Sequence, residues 1–345
     1  MMRLLIIGSD KIYAIENFYE KYIRQPGTEV SLFPAQNFFY EYYNRSFVNK
    51  LIYRAGMARV IHKINEQLKE TVKQVKPDVI WIFKGMEITP PTLQSFREQN
   101  IVLVNYNPDN PFIFSGSGSG NENVTKSISL YDLHFTYNLE IKKKLETDYH
   151  ASAAFLPFGF DVTNELYKEC RQEEEINKVC FLGNPDKKRV ATLRSLLEEG
   201  IAIDVYGNYW NKFIQHKNLT VHGPVYGDEF WKILHRYRIQ LNLLRVHNEQ
   251  SHNMRTFEVP GIGAIQLAPD TPEHRMFFED GKEIFLFQNV ETCCNQVRLL
   301  LNLSSTEADA IRENARQRSV SSGYSYKDRA HYAFNIIKDL KREGV

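Results

Sequence analysis

Residues 178–200, KVCFLGNPDKKRVATLRSLLEEG, join a short apolar run to a turn and then to an amphipathic segment. The apolar run ends at Gly183 and does not alternate with polar residues, as in a parallel strand that helices cover on both faces. The segment after the turn has the apolar spacing of a helix. A strand, a turn and a helix form the repeating unit of an α/β fold, so this stretch predicts that class.

The same unit recurs on both sides of this stretch. Apolar runs precede it in the order RLLIIG, TEVSLFP, DVIWIF, IVLVNY and LHFTY, and follow it in the order AIDVYGN, IQLNLL, GAIQLA and EIFLF. Helical segments lie between them, such as ARVIHKINEQLKETVKQV and TPPTLQSFREQN, the second with Thr89 as N-cap. We therefore predict a pair of Rossmann-like, doubly wound domains that face each other across a cleft.

Changes in the sequence pattern along the chain predict the domain boundaries. From Ala154 to Asn177, turn residues and a charged stretch replace the strand pattern. We expect an N-terminal domain at residues 1–157, a hinge at 158–177, a C-terminal domain at 178–322, and a final helix at 323–345 that packs back on the N-terminal domain.

Composition narrows the class of protein. A length of 345 residues suits two α/β cores of roughly 150 residues each. With 43 basic and 42 acidic side chains, the formal charge of +1 gives no field that would draw the protein to nucleic acid. The start, MMRLLIIGSD, has no signal-peptide pattern, and no apolar run reaches the roughly 20 residues of a membrane span. We expect a cytoplasmic protein with reduced structural thiols at Cys170, Cys180, Cys293 and Cys294.

The segment NMRTFEVPGIGAIQLAPD, residues 253–270, predicts a ligand-facing helix. Glu258 lies in a short helix that must end near Gly261, and its carboxylate can accept hydrogen bonds from both hydroxyls of a ribose. Arg255, one turn earlier, can bind a phosphate through two N–H groups. We place Asn253 and Met254, at the start of this helix, in the same nucleotide site. The alternative is that Glu258 is an ordinary solvated helix residue.

The turn CFLGNPDKKR predicts a site for a diphosphate. Gly183 and Asn184 follow the strand, and Lys187, Lys188 and Arg189 stand at the start of a helix, where N–H groups and the positive helix end favour an anion. Cations at this end of a helix are locally unfavourable, which points to a compensating anion. A solvated basic turn is the alternative.

Two glycine-containing loops are candidates for contact with the rest of the nucleotide. Tyr206 and Gly207 come after another predicted strand in DVYGNYW. The loop from Gly223 to Gly227, which includes Pro224 and Val225, precedes a helix, and such a loop lets the backbone approach a flat base. An ordinary turn is the alternative.

The N-terminal domain offers candidates for the other wall of the cleft. Asp109, in NYNPDNPF, is the best candidate for a general base that takes the proton of a hydroxyl group, although Asp in such a sequence also serves as a turn former. Lys84, in IFKGMEITP, is a candidate ligand for a phosphate or an acceptor carboxylate. The run SGSGSG, residues 115–120, predicts a mobile loop that orders over substrate.

Residues 38–64, FFYEYYNRSFVNKLIYRAGMARVIHKI, mix aromatic and basic side chains. Such a segment suits peripheral contact with an anionic membrane surface, or with an anionic acceptor. The alternative is a helix that packs on the core and turns its basic residues to solvent. The basic residues concerned are Arg45, Lys50, Arg54, Arg59 and Lys63.

Taken in order, several segments resemble the glycosyltransferases of the GT4-like, group 1 superfamily, and more closely its branch of CgeB-type spore-maturation proteins. They are NPDNPF, YDLHFTYN, LPFGFD, RTFEVPGIGAIQLAP and EHRMFFEDGKEIFLFQNVET, and they cover nearly the whole chain. The resemblance implies a GT-B fold, Glu258 as the ribose ligand, and Arg189 as the contact of the leaving diphosphate. In the wider superfamily, a first glutamate precedes the second by seven intervening residues. Glu249 lies one residue further away, so retention or inversion stays open.

The resemblance implies transfer of a hexose or related sugar from a UDP-, GDP- or TDP-linked donor to a hydroxyl acceptor. The acceptor would be a cell-surface glycan, a lipid-linked sugar or a small molecule. We expect no covalent cofactor and no required metal, because cationic side chains serve the diphosphate and the chain has no Asp-x-Asp motif. His134, His222 and His252 stand singly and are taken as structural. An epimerase or a phosphorylase on the same scaffold remains an alternative, as does a non-catalytic nucleotide-sugar-binding or coat-assembly protein.

Overall fold

The computed structural model describes residues 1–55, 59–113, 120–245 and 250–342. The chain divides into two units, one formed by Met1–Pro157 with Tyr326–Val345 and the other by Phe158–Ser325. Each unit has its own six-stranded parallel sheet. In the part of the chain that the structure describes, no helix is both long and apolar enough to span a bilayer.

The sheet of the first unit has the strand order β2-β1-β3-β4-β5-β6. Its strands are β1 (Met2–Ile7), β2 (Thr28–Phe33), β3 (Val79–Phe83), β4 (Val102–Asn107), β5 (Leu133–Thr136) and β6 (Ala153–Phe155). The helices are α1 (Ile15–Ile23), α2 (Ala35–Arg45), α3 (Phe47–Arg54), α4 (Val60–Val75), α5 (Pro90–Arg97), α6 (Glu122–Lys126) and α7 (Leu139–Asp148), with a 3₁₀ turn at Ile128–Leu130. Every residue of β3 and β4 is buried, which is why these strands appear in the sequence as continuous apolar runs.

The sheet of the second unit has the strand order β12-β11-β10-β7-β8-β9. Its strands are β7 (Ile176–Leu182), β8 (Ile203–Tyr206), β9 (Leu219–His222), β10 (Tyr237–Leu241), β11 (Gln266–Pro269) and β12 (Phe285–Phe287). The helices are α8 (Asn164–Cys170), α9 (Lys187–Glu198), α10 (Gly227–Arg236), α11 (Arg255–Gly261), α12 (Pro272–Phe277), α13 (Val290–Leu301) and α14 (Ser305–Ser321), with a 3₁₀ turn at Trp210–Lys212. All four cysteines are buried and free.

The last helix, α15 (Tyr326–Arg342), belongs to the first unit. It packs along α1, where the ring of Tyr326 stacks on Phe18 with 4.5 Å between the ring centroids. Near its end, Nζ of Lys341 lies 2.7 Å from Oδ1 of Asp78. The first unit is therefore built from two separate stretches of the chain.

The segment expected to be a hinge, residues 158–177, groups with the second unit. It contains helix α8, and Cys170 of that helix is fully buried in the core between α8 and α10. Strand β7 starts at Ile176, inside the expected hinge. The charged residues that suggested a linker lie between the helix and the strand.

In each sheet, the strands that follow the first one along the chain lie at first on one side of it and then on its other side. The place where the side changes leaves a crevice at the carboxyl ends of two neighbouring strands. This switch point lies between β1 and β3 in the first sheet and between β7 and β10 in the second. Most of the side chains that the sequence singled out follow strands at these two edges.

Candidate functional site

The loops after β7 and β8 are joined at the carboxyl edge of the second sheet. The N–H of Gly183 donates to the carbonyl of Tyr206 at 2.9 Å, and the N–H of Asn208 donates to Oδ1 of Asn184 at 2.9 Å. A Cβ on Gly207 would collide with the carbonyl of Gly183. Because any side chain at Gly207 would separate the two loops, its small size is what lets Gly183, Asn184 and Gly207 form one surface.

Arg189 spans the switch point of the second sheet. Its Nε and Nη2 donate to the carbonyl of Leu243, after β10, at 3.2 and 2.8 Å. Its Nη1 donates to the carbonyl of Asn184, after β7, at 3.1 Å. Three of the five N–H groups of the guanidinium are thus used to fix the two loops, and two remain that bond to none of the described residues.

The predicted compensating anion at the start of α9 is part of the protein. Asp186 is the N-cap, and its Oδ1 accepts from the N–H of Arg189 at 3.0 Å. Its Oδ2 lies 3.4 Å from Nε of Arg189. The basic residues at this helix start therefore do not by themselves require a bound anion, which corrects that step of the sequence argument. Lys187 and Lys188 are exposed.

Arg255 and Glu258 form an ion pair one helical turn apart on α11. The Glu258 side chain keeps 8% of its exposure, and among the described residues its Oε2 bonds to Arg255 while Oε1 accepts no hydrogen bond. Burial raises the pKa of the Glu258 carboxyl, and the charge of Arg255 opposes that shift. The Arg255 guanidinium lies 4.4 Å from the ring centroid of Phe230, and its buried Nε has no partner among the described residues.

The start of α11 is tied to the end of β10 by amide side chains. Nδ2 of Asn253 donates to Oδ1 of Asn242 at 2.7 Å, and Oδ1 of Asn253 accepts from the N–H of Thr256 at 3.2 Å. Met254, between these bonds and Arg255, is half-buried. The segment from Asn253 to Glu258 is therefore held at the same edge as Arg189.

A buried polar network lies behind this segment. Nε2 of His274 lies 2.9 Å from Oγ1 of Thr256, and Nδ1 of His274 lies 2.7 Å from the carbonyl of Pro269. Nδ1 of His252 lies 2.6 Å from Oε2 of Glu273. Burial lowers the pKa of His274 to about 4, so its ring is neutral at physiological pH. These bonds fix the loop before α11 from the side of the core.

Arg245 joins Arg189 and Arg255 in a concentration of positive charge at this edge. Burial lowers the pKa of Arg189 to about 10, and although Asp186 opposes this, the charges of Arg245 and Arg255 lower it further. The effect of these charges on Arg189 indicates that the three cations lie within electrostatic reach of one another. Sequence reasoning missed Arg245, although it directly follows the predicted strand run IQLNLL.

Tyr206 and the loop from Gly223 to Gly227, the remaining predicted nucleotide contacts, differ in their exposure. Tyr206 is the last residue of β8 and is buried, with its ring stacked on His222 at 4.4 Å and its hydroxyl 3.0 Å from that of Tyr237. Its ring thus belongs to the packed interior rather than to a loop. Pro224 is exposed and Val225 half-buried in the loop between β9 and α10.

Lys84 and Asp109 meet at the edge of the first sheet. Nζ of Lys84 lies 2.7 Å from Oδ2 of Asp109. Asn107, two residues before Asp109, supplies the side chain that forms the turn, accepting from the N–H of Asp109 at 3.0 Å. The Asp109 carboxylate is therefore directed to Lys84. Burial lowers the pKa of Lys84, but Asp109 and Glu16 outweigh burial, so the net shift is upward.

Two buried carboxyl groups lie close to this pair. Oε1 of Glu16 accepts from the N–H of Ser9 at 2.6 Å, in the loop after β1, and burial raises its pKa. Burial also raises the pKa of Glu87 to about 7. Both carboxyl groups interact with the charge of Lys84, so the first switch point carries a cluster of titratable groups.

Some predicted features lie outside the described residues: Glu249, and all of the SGSGSG run except its last glycine. Within the described ranges, no group of three or more His, Cys, Asp or Glu side chains is arranged to hold a metal ion. His134, one of the lone histidines, is buried with its Nε2 2.9 Å from the carbonyl of Ile128, and burial lowers its pKa to about 4.

Comparison with known proteins gives a family match for the second half of the chain. Residues 187–335 match the model of a family described as glycosyl transferase-like. A search of curated proteins gives no match.

Solved structures with the same fold match almost the whole chain. Sucrose-phosphate synthase of Thermosynechococcus elongatus is 9% identical, with a TM-score of 0.68 over 99% of both chains. HepE of Anabaena, in complex with UDP-glucose, is 13% identical, with a TM-score of 0.64 over 98% of this chain and 100% of that chain. UDP-GlcNAc 2-epimerase of Neisseria meningitidis is 14% identical, with a TM-score of 0.59 over 98% and 100%. The chain has the GT-B fold, as the sequence predicted.

Proposed function

We propose that this protein is a glycosyltransferase that moves a sugar from a nucleoside diphosphate donor to a hydroxyl acceptor. The observation that carries the proposal is that Arg245 and Arg255 lie within electrostatic reach of Arg189 at the switch point of the second sheet, with Glu258 paired to Arg255. Three cations and one carboxylate match a ligand that carries a diphosphate next to a ribose. The family match over residues 187–335 supports the same class of reaction.

In this proposal the second unit binds the donor. Oε1 of Glu258 accepts from the ribose hydroxyls, since Oε2 already accepts from Arg255. The exposed part of the Arg255 guanidinium and the two remaining N–H groups of Arg189 donate to the diphosphate, with Lys188 and Arg245 adding positive charge. The loop at Gly183, Asn184 and Gly207 brings backbone N–H groups to the same ligand, and the loop with Pro224 and Val225 contacts the base. Tyr206, whose ring is buried in the second unit, then acts by holding the neighbouring Gly207 in place.

Catalysis follows from where charge develops. The bond between the anomeric carbon and the diphosphate oxygen breaks, and the departing diphosphate gains negative charge, which the three arginines neutralise. The acceptor hydroxyl loses its proton as it bonds to the anomeric carbon. Asp109 takes this proton in an inverting reaction, and Lys84 fixes the orientation of its carboxylate through Oδ2. We propose that no metal is required, so EDTA should leave the rate unchanged.

A second candidate is a nucleotide-sugar epimerase, because the Neisseria epimerase shares the fold over the full length. The two activities differ in their products. A transferase releases a nucleoside diphosphate only when an acceptor is present. An epimerase that acts on the same nucleotide sugar changes the sugar itself. The acceptor in the proposed transfer is a hydroxyl of a cell-surface glycan, a lipid-linked sugar or a small molecule.

The test has two stages. Thermal shift with UDP, GDP, TDP, CMP and ADP identifies the base, and a shift by at least one diphosphate is expected. The matching nucleotide sugars are then incubated with the protein, with and without acceptor alcohols, and the products are analysed by mass spectrometry and NMR. Release of nucleoside diphosphate with a new glycoside supports a transferase. An altered sugar without an acceptor supports the epimerase, and binding without turnover supports a non-catalytic protein.

A further inference from the structure

Helix α3 turns an apolar face outward, whereas surface helices of globular proteins usually turn a polar one. The exposed fractions of Phe47, Val48 and Leu51 are 72%, 59% and 48%. At about 100° per residue, these three positions and Arg54 fall on one stripe of the helix surface about 120° wide. We call this the outward stripe of α3.

The opposite side of α3 is occupied by contacts within the first unit. Nδ2 of Asn49 donates to the carbonyl of Tyr42 at 2.8 Å. The ring of Tyr53 packs edge-on against Phe39 and Tyr43, with centroid distances of 5.0 and 5.7 Å. Since the contacts of α3 with its own unit lie on this side, packing within the described part of the unit gives no reason for apolar residues on the outward stripe.

The core of the first unit is built mainly by other helices than α3. Helix α4 is the crossover helix that covers the sheet, and it buries Val60, Ile64, Leu68 and Val72. Helix α2 packs aromatic side chains against the same core, whereas α3 adds the half-buried Tyr53 and has no fully buried residue. Helix α3 is therefore an addition between β2 and α4 whose outward stripe is not needed to build the fold.

The sequence segment that contains the stripe is strongly basic. Residues 38–64 contain five basic side chains and one acidic side chain, Glu41, which gives a net charge of +4. The remaining 38 basic and 41 acidic side chains of the protein give −3. Arg45, Arg54 and Arg59 are exposed. Positive charge is thus concentrated in the segment that contains the apolar stripe.

We propose that α3 docks on an anionic lipid surface. The outward stripe enters the region between the headgroups, and Arg45, Arg54 and Arg59 contact the lipid phosphates. An apolar stripe and basic flanks act together in peripheral membrane binding, because neither burial of a few side chains nor a few charges is sufficient alone. The charge distinguishes a lipid surface from a second copy of this chain, which would bring the same +4 to the contact. The proposal does not depend on sugar transfer.

Sedimentation with lipid vesicles tests this docking in the full-length protein, without any nucleotide sugar. We expect binding to phosphatidylcholine vesicles that contain phosphatidylglycerol, and at least about tenfold weaker binding to phosphatidylcholine alone, from the contribution of each basic side chain near an anionic surface. The triple variant F47S/V48S/L51S and the charge variant R45E/R54E should each bind anionic vesicles at least about tenfold more weakly.

Matched controls separate docking from general changes in surface polarity or charge. L299S/V320S removes two apolar side chains, each 54% exposed, from the second unit. K143E/K168E changes the net charge as much as R45E/R54E does, at exposed positions outside α3. Both controls should bind like the natural protein. Equal loss in the controls, or full binding by F47S/V48S/L51S, would overturn the proposal.

A less disruptive variant guards against misfolding of the triple variant. F47W places an indole on the outward stripe, and its fluorescence emission should shift to shorter wavelength with anionic vesicles but not with neutral ones. No shift would count against docking. Analytical ultracentrifugation tests whether a second copy of this chain covers the stripe instead. If the natural protein self-associates, F47S/V48S/L51S is a monomer and neither binds vesicles, a second copy covers the stripe. This result would overturn the lipid proposal.

Discussion

The ammonium of Lys84 lies 2.7 Å from Oδ2 of Asp109, joining the end of β3 to the loop after β4. Lys84 reaches this position from a left-handed backbone with φ of 62°, a conformation that costs an L-residue free energy. The side chain of Asn107 makes the turn-forming hydrogen bond that the sequence suggested for Asp109. In the proposed function, this ion pair orients the Asp109 carboxylate that takes the acceptor proton.

Replacing Lys84 by Gly and by Ala separates the role of its side chain from that of its backbone. Both variants lose the ion pair, but glycine tolerates a left-handed backbone, so K84G should be more stable than K84A by about 1 kcal/mol. Urea unfolding measures the difference. Lys76 is also left-handed, with φ of 48°, and is exposed. K76G and K76A should show a similar difference in stability with activity retained, whereas both Lys84 variants should lose transfer. Equal stabilities of K84G and K84A would argue against backbone strain.

Asp109→Asn tests the proton acceptor. We expect the transfer rate to fall by roughly 10²-fold or more, because the amide cannot take the proton of the acceptor hydroxyl. Nucleotide binding, measured by calorimetry, should not change, since the donor residues belong to the second unit. D148N, at the exposed end of α7, is the control and should keep full activity. A D109N rate close to that of the natural protein would exclude Asp109 as the base.

Glu258→Gln tests the ribose contact by a cycle of protein and ligand changes. We expect E258Q to bind UDP, or whichever nucleoside diphosphate the panel selects, about tenfold or more weakly, since hydrogen bonds to a charged group are lost. With the 2′,3′-dideoxy form of the same nucleotide, E258Q and the natural protein should bind equally. If E258Q weakens both ligands alike, Glu258 acts through Arg255 or the fold and not through the ribose.

Arg245→Ala tests the cation that the sequence argument missed. The variant should bind the diphosphate several-fold more weakly, since a charge-assisted contact is lost, and should bind the free nucleoside as the natural protein does. Its melting temperature should stay unchanged because Arg245 is exposed. R194A, another exposed arginine of the second unit, serves as the control. Equal effects on nucleoside and diphosphate would place Arg245 away from the phosphates.

Glu87 gives the first unit a dependence of stability on pH. Its pKa is about 7 in the folded protein, against an ordinary value of 4.5 for the unfolded chain, so the folded state holds the proton more tightly. This contribution to stability is fully present below pH 4.5 and is lost as the pH rises to 7, by roughly 3 kcal/mol. Chemical unfolding at pH 5 and pH 7.5 should show a loss in the natural protein that E87Q largely lacks. Parallel curves for the two proteins would mean that Glu87 is ionised throughout.

The fold was predictable where strands are buried on both faces. DVIWIF and IVLVNY became β3 and β4 because every position needs an apolar or bonded side chain. Strand β9, Leu219–His222, was missed because an edge strand of four residues with two polar positions has no such pattern. Strand β6, Ala153–Phe155, was missed because two of its three residues are alanines, which are depleted in strands.

The site was predictable in its residues but less so in their bonds. The prediction of a short helix that holds Arg255 and Glu258 and ends at Gly261 is confirmed. Asp186 before a helix is an N-cap signal that the sequence displays, yet its neighbours Lys187 and Lys188 drew the interpretation toward an external anion. The bonds from Arg189 to Leu243 join residues 54 positions apart. Only the order of the strands brings those residues together, and local sequence does not encode that order.

Helix α15 has a consequence for how the protein is made. Tyr326, Ala330, Ala333, Phe334 and Ile337 are buried against a unit whose other residues precede Phe158. On the ribosome, the second unit is synthesised as one uninterrupted stretch and has all its strands before α15 emerges. The N-terminal unit, although translated first, keeps the surface of α1 uncovered until α15 has been synthesised. The order of synthesis and the order of completed folding are therefore reversed.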